Sequence, residues 1–261
     1  MTDGGKPVAL VTGATRGIGL AVAEGLAKDG FRLFLCARTG GDVDRTVREL
    51  SAAGADVAGA ACDVTSSAAV DAVTREAVER FGRVDVLVNN AGRSGGGPTA
   101  QLTDDLWTDV LATNLNSVFF ACRAALTTGG MLERGSGRIV NIASTGGKQG
   151  VVLGAPYSAS KHGVVGFTKA LGLELAKTGI TVNAVCPGYV ETPMAQEVRA
   201  NYARIWETTE DDVLSRFTAK IPLGRYTTPD EVAGLVRYLT TEAAAPITAQ
   251  AINVCGGLGN Y

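Results

Sequence analysis

Short apolar runs alternate along the chain with longer segments in which apolar residues recur at helical spacing. This alternation is typical of repeated strand, helix, strand units built around a parallel sheet. The pattern predicts strands at 8–11, 32–36, 57–62, 84–89, 138–143, 181–185 and 251–254, and helices at 17–29, 42–53, 67–81, 104–128, 157–177 and 229–240. We therefore predict one α/β domain over residues 1–261, a doubly wound parallel sheet of seven strands with helices on both faces.

One stretch, 189–226, is too long for an ordinary connection between such elements, and we predict that it forms a helical lid over a substrate site. Large side chains recur within it at spacings of four and three, which places them on one face of a helix. They are Met194, Val198, Tyr202, Ile205 and Trp206. Such a stripe either packs on a core or faces a ligand, and the spacing alone leaves both interpretations open.

Charge and composition exclude several classes of protein. With 24 basic and 26 acidic side chains and a net charge of -2, the chain lacks the basic excess that binding to a phosphate backbone requires, so we expect no nucleic-acid partner. No stretch approaches the roughly 18 to 20 consecutive apolar residues of a membrane helix, and the opening MTDGGKPVAL lacks the apolar segment of a signal peptide. We therefore expect a cytoplasmic protein that does not enter a membrane.

The five cysteines are scattered and include no C-x-x-C pair, and the chain has one histidine. This set argues against a disulfide framework and a thiolate metal site, and one histidine excludes a two-histidine site. We expect no metal, and we expect Cys36, Cys62, Cys122, Cys186 and Cys255 to be buried as small hydrophobic residues.

A glycine-rich sequence, TGATRGIG at 12–19, lies between the first predicted strand and the first predicted helix. Glycines at such a junction allow backbone amides and a helix N-terminus to face a pyrophosphate. Glycine strings also occur in loops that bind nothing, but this position in the chain favours a dinucleotide site of the Rossmann type.

The second predicted strand ends at Arg38, where a site selective for NAD would present an acidic side chain to the ribose. Arg38 and Arg16 favour a 2′-phosphate instead, which predicts NADPH/NADP+ as the cofactor. The alternative is that both are solvated surface arginines. Asp63 follows the third strand and either accepts from the adenine amino group or caps a turn.

Tyr157 and Lys161 stand four residues apart at the start of a predicted helix and therefore share one helix face. A nearby ammonium favours the phenolate, so we expect the pKa of Tyr157 to lie below its usual value of about 10. His162 lies about 100° further around the same helix, and we expect it to be a structural or interface residue.

Other polar residues close predicted strands or interrupt a predicted helix. Ser144 ends the fifth strand at the edge where ligands bind in open α/β sheets, and its hydroxyl is placed to bond the same substrate oxygen as Tyr157. Asn114 lies inside the predicted helix 104–128, where a buried amide needs partners, and we expect it to hold a water near Lys161. Asn89 is equally open to a structural and a functional interpretation.

Together these motifs resemble the short-chain dehydrogenase/reductase superfamily: TGATRGIG at 12–19, NNAG at 89–92, Asn114, Ser144, YSASK at 157–161 and Pro187-Gly188. The resemblance covers nearly the whole chain. It implies that Tyr157 is the general acid for ketone reduction, that Ser144 orients the carbonyl, that Lys161 binds the nicotinamide ribose and that Asn114 anchors a relay water. Cofactor contacts are expected from Gly13, Thr15, Arg16, Gly17, Ile18, Gly19, Arg38, Asp63, Val64, Asn90, Gly92, Tyr157, Lys161, Pro187, Gly188, Val190 and Thr192.

Within that superfamily, the segments 92–97, 130–194 and 248–261 resemble ketoreductases of aromatic type II polyketide synthases. This implies reduction of one ketone of a poly-β-ketone carried on an acyl carrier protein, in antibiotic biosynthesis, by a homotetramer. Substrate contacts are expected from Ser94, Gly95, Gly96, Thr145, Gln149, Val151, Leu153, Met194, Tyr202 and Trp206. Thr65 and Lys220, with Ser94 and Leu153, differ from the residues expected in a known member.

A carrier-bound substrate needs cations at the entrance, for which Arg93 is the first candidate and Arg38 the second, and exposed contacts of this kind predict weak docking. Two alternatives stay open within enzymes: a 3-oxoacyl-carrier-protein reductase and a general secondary-alcohol dehydrogenase. A third alternative, from another class, is a regulatory protein that binds NADPH without turnover.

Overall fold

A computed structural model describes residues 5–261, so the first four residues of the predicted domain lie outside it. Seven parallel strands form one sheet in the spatial order β3-β2-β1-β4-β5-β6-β7. They are β1 (Val8–Thr12), β2 (Arg32–Ala37), β3 (Val57–Ala61), β4 (Val86–Asn89), β5 (Ser136–Ile142), β6 (Gly179–Pro187) and β7 (Ala251–Val254). The predicted doubly wound, single-domain α/β fold is confirmed.

Ten α-helices are present in the described residues: α1 (Gly17–Lys28), α2 (Gly40–Ala52), α3 (Ser67–Phe81), α4 (Asp104–Leu111), α5 (Ser117–Leu126), α6 (Met131–Arg134), α7 (Ala155–Glu174), α8 (Pro193–Ile205), α9 (Glu210–Thr218) and α10 (Pro229–Leu239). The helices cover both faces of the sheet, and a separate apolar core fills each face. The central strands are buried on both sides, which is why they read as continuous apolar runs in the sequence.

Several predicted boundaries were wrong by a few residues. β6 runs from Gly179 to Pro187 rather than 181–185, because it pairs with β5 from Gly179 onward and with β7 as far as Pro187. β4 begins at Val86 rather than at residue 84. All five cysteines are buried and unpaired, as predicted.

The prediction of one continuous helix over 104–128 was also wrong. A π-helical turn at Ala112–Asn116 separates α4 from α5. Asn114 lies in this turn with no exposed surface, and its amide bonds to groups on two other segments. Such turns are frequent at functional sites, and here the turn carries a polar side chain into the protein interior.

The stretch 189–226 contains α8 and α9, which pack on each other through their own apolar cluster. Tyr189 stacks on Phe217 with ring centroids 4.7 Å apart. At the base of α8, the buried guanidinium of Arg199 makes two hydrogen bonds of 2.9 Å to the carboxylate of Glu191. The insertion is therefore a packed unit attached to the sheet at its carboxyl edge.

No helix of the described residues combines the length and apolar character that crossing a membrane demands.

Candidate active site

Three of the four predicted catalytic residues meet at the carboxyl edge of the sheet. Ser144 lies two residues after the end of β5, and Tyr157 and Lys161 lie on one face of the first turns of α7. A Cβ atom placed on Gly146 would lie 3.3 Å from both Ser144 Oγ and Tyr157 Cε1, so the hydroxyl and the phenol ring border the same small space. The Gly146 amide donates to Ser144 Oγ at 3.0 Å and fixes this hydroxyl.

Lys161 is buried, with 5% of its surface exposed, and its Nζ lies 5.9 Å from the centroid of the Tyr157 ring. Burial lowers the pKa of Lys161 to about 8, because the ammonium loses solvation. Nζ donates to the main-chain carbonyl of Ile142 at 2.8 Å. Lys161 thus reaches the strand that carries Ser144.

The expected lowering of the Tyr157 pKa was wrong for the chain by itself. The ring keeps some accessible surface, yet the protein packed around the phenol raises its pKa, and a hydrogen bond between this phenol and Ser144 offsets only part of the rise. Burial disfavours the charged phenolate more than this hydrogen bond favours it. Tyr157 is consequently a neutral phenol at physiological pH, which is the form that can donate a proton.

Asn114 lies beside these residues but has no spare side-chain group. Its Oδ1 accepts from the Arg93 amide at 2.8 Å, and its Nδ2 donates to the Arg93 carbonyl at 3.0 Å and to Ser160 Oγ at 3.1 Å. Ser160 Oγ donates in turn to the Tyr157 carbonyl at 2.7 Å. The Asn114 side chain therefore links Arg93, which directly follows the NNAG segment, to the helix of Tyr157.

The glycine-rich turn connects β1 to α1, as its position in the sequence predicted. Asn90 holds it, because its Nδ2 donates to the carbonyls of Thr12 and Gly13 at 3.1 and 2.9 Å. A Cβ on Gly19 would overlap both the Asn90 amide and the Gly13 carbonyl, so only glycine fits there. Asn90 thus shapes the turn, and Thr15 and Ile18 lie half-buried within it.

Arg16 and Arg38 are both exposed at this edge, and their side chains make no hydrogen bond or ion pair with the residues that the structure describes. Asp63 accepts from the amide and the hydroxyl of Thr65 at 3.0 and 2.7 Å. These bonds, and to a smaller extent the charge of Arg38, lower the pKa of Asp63. Asp63 therefore caps the turn at Thr65, and it does so through one of its two carboxylate oxygens.

The remaining predicted cofactor residues lie along the same edge. The Gly188 amide donates to the Val254 carbonyl at 3.0 Å, which anchors the Pro187-Gly188 turn to β7. Thr192 caps α8, and a Cβ on Gly17 would lie 3.3 Å from its methyl group. Val190 and Val64 are buried. A Cβ on Gly92 would come within 3.7 Å of Lys161 Nζ, so the NNAG segment passes directly beside the lysine.

The predicted substrate residues lie on three stretches of the chain: residues 145–153 after Ser144, the segment 94–97 and the lid. Gly96 passes so close to the Leu153 carbonyl that a Cβ would overlap it, and Gly97 donates to that carbonyl at 2.7 Å. Thr145 is buried and Gln149 and Val151 are exposed. Ser94, Gly95 and Met194 are half-buried.

Tyr202 is placed differently from the other predicted substrate residues. It is buried in the lid cluster, and its hydroxyl donates to the Val152 carbonyl. Trp206 packs edge-on against it with ring centroids 4.8 Å apart and keeps part of its surface accessible. The ring of Tyr202 therefore packs within the lid, and Trp206 is the more accessible of the two aromatic residues.

Other residues have a structural role in the described chain. Asn89 is buried and donates to Asn141 Oδ1 at 2.8 Å, which realises its structural interpretation. His162 is exposed, and its Nδ1 lies 2.9 Å from the Ser158 carbonyl within the same helix. Arg93, the first candidate for carrier docking, pairs with Asp109 on α4.

Sequence reasoning missed residues that support the site without a motif of their own. Thr12 Oγ1 accepts from the amides of Asn90 and Ala91 at 3.0 Å, which joins the glycine-rich turn to the NNAG segment. Ser160 lies inside the YSASK motif, which was the only available signal for it. Lys148 had no signal, because its partners are more than a hundred residues away in the chain.

The family model for short chain dehydrogenases matches residues 7–203, and the chain belongs to this family. Over 261 residues it is 67% identical to a Streptomyces virginiae protein described as a ketoacyl reductase of the monensin polyketide synthase, with 100% of both chains covered. It is 40% identical over 253 residues to a 3-oxoacyl-[acyl-carrier-protein] reductase of Synechocystis sp., with 96% of each covered.

Among solved structures, a variant of the actinorhodin polyketide ketoreductase with NADPH matches with a TM-score of 0.96 and 62% identity, covering 100% of both chains. These comparisons confirm the predicted family and fold. They also agree with the predicted class of NADPH-dependent ketoreductase.

Proposed function

We propose that this protein is an NADPH-dependent ketoreductase that reduces one ketone of a poly-β-ketone, carried on an acyl carrier protein, to a secondary alcohol. The observation that carries the proposal is the meeting of Ser144, Tyr157 and Lys161 beside the glycine-rich turn at one edge of the sheet. The polyketide part rests on the names of similar proteins, which act in the monensin and actinorhodin systems.

The residues at the glycine-rich turn fit NADPH. Close backbone approach at Gly19 leaves the start of α1 open to a pyrophosphate, since a side chain there would overlap Asn90. Arg16 and Arg38 are exposed guanidinium groups suited to a 2′-phosphate. Bound NADPH supplies a hydride to the substrate carbonyl carbon.

Tyr157 and Ser144 both act on the carbonyl oxygen of the substrate, one as proton donor and the other as hydrogen-bond donor. The raised pKa of Tyr157 keeps its phenol protonated, and this phenol donates the proton that completes the alcohol. The Ser144 hydroxyl, held by the Gly146 amide at 3.0 Å, donates a hydrogen bond to the same oxygen as negative charge develops on it.

Lys161 and Asn114 support this proton transfer. The pKa of about 8 for Lys161 allows its ammonium to exchange protons near neutral pH while it orients the nicotinamide ribose. Because the Asn114 side chain is fully hydrogen-bonded, the group that we assign to the relay water is its main-chain carbonyl in the π-helical turn. Asn114 also steadies Tyr157 through Ser160.

The carrier and the assembly come from the resemblance, and surface features indicate where each contact would lie. Arg38 is exposed and has no described ion-pair partner, whereas Arg93 pairs with Asp109, so we rank Arg38 above Arg93 for weak contact with the carrier. The homotetramer is what the resemblance implies, and Phe119 on α5 and Leu173 on α7, 44% and 71% exposed, are apolar side chains suited to a subunit interface. Five unpaired cysteines suit a cytoplasmic location, where thiols stay reduced.

The deciding experiment compares the parent with Tyr157→Phe. We expect NADPH binding to be retained and reduction of trans-1-decalone to fall by at least about a hundredfold, since one donor at the oxygen is lost. Unchanged turnover would refute the role of Tyr157. NADPH binding by the parent without reduction of any ketone would instead favour a regulatory protein.

Substrate preference separates the remaining enzyme alternatives. A kcat/KM for a short linear β-keto thioester well above that for trans-1-decalone would favour the 3-oxoacyl-carrier-protein reductase, to which the chain is 40% identical. We expect the bicyclic ketone to be preferred.

A further inference from the structure

Lys148 holds together two parts of the chain that are distant in sequence. It ends the short turn that follows Ser144, and its Nζ donates to Asn253 Oδ1 at 2.9 Å and to the Tyr261 carbonyl at 3.2 Å. The same ammonium lies 5.6 Å from the centroid of the Tyr261 ring, within the range of a cation–π contact. None of the catalytic roles assigned above uses this lysine.

The partners of Lys148 belong to the segment 255–261 and to the strand before it. Asn253 Nδ2 donates to the Gly259 carbonyl at 3.0 Å, and the Gly259 amide donates to Cys255 Sγ at 3.3 Å. Asn253 therefore contacts Lys148 through its oxygen and the segment through its nitrogen. These bonds fold the 255–261 segment back toward the turn after Ser144.

The 255–261 segment also contacts the turn after Ser144 and the end of the lid. The Tyr261 hydroxyl lies 3.5 Å from the carbonyl of Thr145, which directly follows Ser144. At the other end, the Leu223 amide donates to the Gly256 carbonyl at 2.9 Å, and Leu223 lies just beyond α9 of the lid. The segment thus spans from the lid to the turn after Ser144, and Lys148 fastens it at the turn.

We propose that Lys148 is a positioning residue that determines substrate size preference: by holding the 255–261 segment against the turn after Ser144, it keeps one wall of the substrate crevice rigid. A rigid wall favours a bulky cyclic ketone, because the wall loses little conformational freedom when such a substrate packs against it. A small linear ketone makes fewer contacts with this wall, so the rigidity of the wall adds less to its binding free energy. This inference rests on the proposed ketoreductase function.

Lys148 acts on binding and leaves the reacting groups in place. Ser144 is held by the Gly146 amide and Lys161 by the Ile142 carbonyl, and neither bond involves Lys148. Loss of its ammonium is therefore expected to raise KM for a bicyclic ketone with little change in kcat.

The test compares Lys148→Met, which keeps the length of the side chain, with Lys148→Arg, which keeps the charge. The matched control is Lys177→Met, at an exposed lysine beyond α7. For Lys148→Met we expect KM for trans-1-decalone to rise at least about fivefold, kcat to change less than about twofold, and KM for a short linear β-keto thioester to change little. Lys148→Arg should bring KM for trans-1-decalone most of the way back to the parent value. Lys177→Met should have the same KM and kcat as the parent.

Hydrogen–deuterium exchange provides a readout that is independent of activity. Amides of the 255–261 segment should exchange faster in Lys148→Met than in the parent or in Lys177→Met. If Lys148→Met does not fold, Tyr261→Ala removes the ring beside the Lys148 ammonium and the hydroxyl near Thr145, and KM should shift in the same direction.

Two outcomes would overturn the proposal: unchanged exchange in the 255–261 segment, or an equal fall in kcat for both substrates. A parent protein that reduces neither substrate would instead defeat the proposed function, and the exchange measurement would still decide whether Lys148 holds the segment.

Discussion

Lys161 donates a hydrogen bond of 2.8 Å from Nζ to the main-chain carbonyl of Ile142. Ile142 is the last residue of β5, and Ser144 follows two positions later. One bond therefore sets the distance between the lysine of α7 and the strand end that carries the hydroxyl. It also accounts for how a buried ammonium keeps a partner in this site.

The depressed pKa of Lys161 predicts a dependence of stability on pH. Since this pKa falls from 10.5 to about 8 on folding, the unfolded chain binds more protons between those values, and the free energy of unfolding rises with pH across that window. Lys161→Met lacks this gain. The free energy of unfolding of the parent should therefore rise, relative to that of Lys161→Met, by up to about 3 kcal/mol between pH 8 and 10.5. Urea unfolding measures this difference. A difference that stays flat would mean that burial does not depress this pKa.

The exposed guanidinium of Arg38 is expected to make the protein select NADPH over NADH. Arg38→Asp removes a guanidinium and places a carboxylate where the 2′-phosphate is expected, so Kd for NADPH should rise at least about tenfold while Kd for NADH changes little. Fluorescence titration measures both constants. Arg48→Asp makes the same charge change at an exposed position of α2 and serves as the control. Equal affinity of the parent for NADPH and NADH would contradict the assignment.

Gly19 tests whether close backbone approach is required at the glycine-rich turn. Gly19→Ala places a methyl group against the Asn90 amide and the Gly13 carbonyl. We expect the free energy of unfolding to fall by about 1 to 3 kcal/mol. We also expect NADPH binding to be lost. Gly166→Ala is the control, because that helical glycine has open space around its Cβ position and the change should be neutral or stabilising by up to about 1 kcal/mol. Calorimetric titration and thermal unfolding separate the two effects.

The hydrogen bonds of Asn114 lead us to expect that its replacement lowers the stability of the protein. Asn114→Ala leaves the amide and carbonyl of Arg93 without their side-chain partner and removes the donor to the Ser160 hydroxyl, which should cost about 1 to 3 kcal/mol in urea unfolding. Because Ser160 bonds to the Tyr157 carbonyl, kcat should fall as well. Asn116→Ala changes an exposed asparagine of the same π-helical turn and should leave both quantities close to those of the parent. Equal effects of the two substitutions would deny Asn114 its linking role.

Residues that act through local periodicity could be predicted from the sequence. The strands and the turn at 12–19 were predictable because burial on both faces gives continuous apolar runs, and a glycine-rich junction is a local feature. Tyr157 and Lys161 were predictable as a pair because four residues make one helical turn. The π-helical turn at Ala112–Asn116 was not, since its cause is the bonding of Asn114 to distant segments.

The sequence by itself therefore determined the α/β fold, the position of the glycine-rich turn and the placing of Tyr157 and Lys161 on one helix face, because each depends on spacing within one element. Only the tertiary structure decided the protonation of Tyr157, the burial of Tyr202 in the lid and the contact of Lys148 with Asn253 and Tyr261. Those properties depend on desolvation and on partners far away in the chain, and no local pattern of residues encodes either.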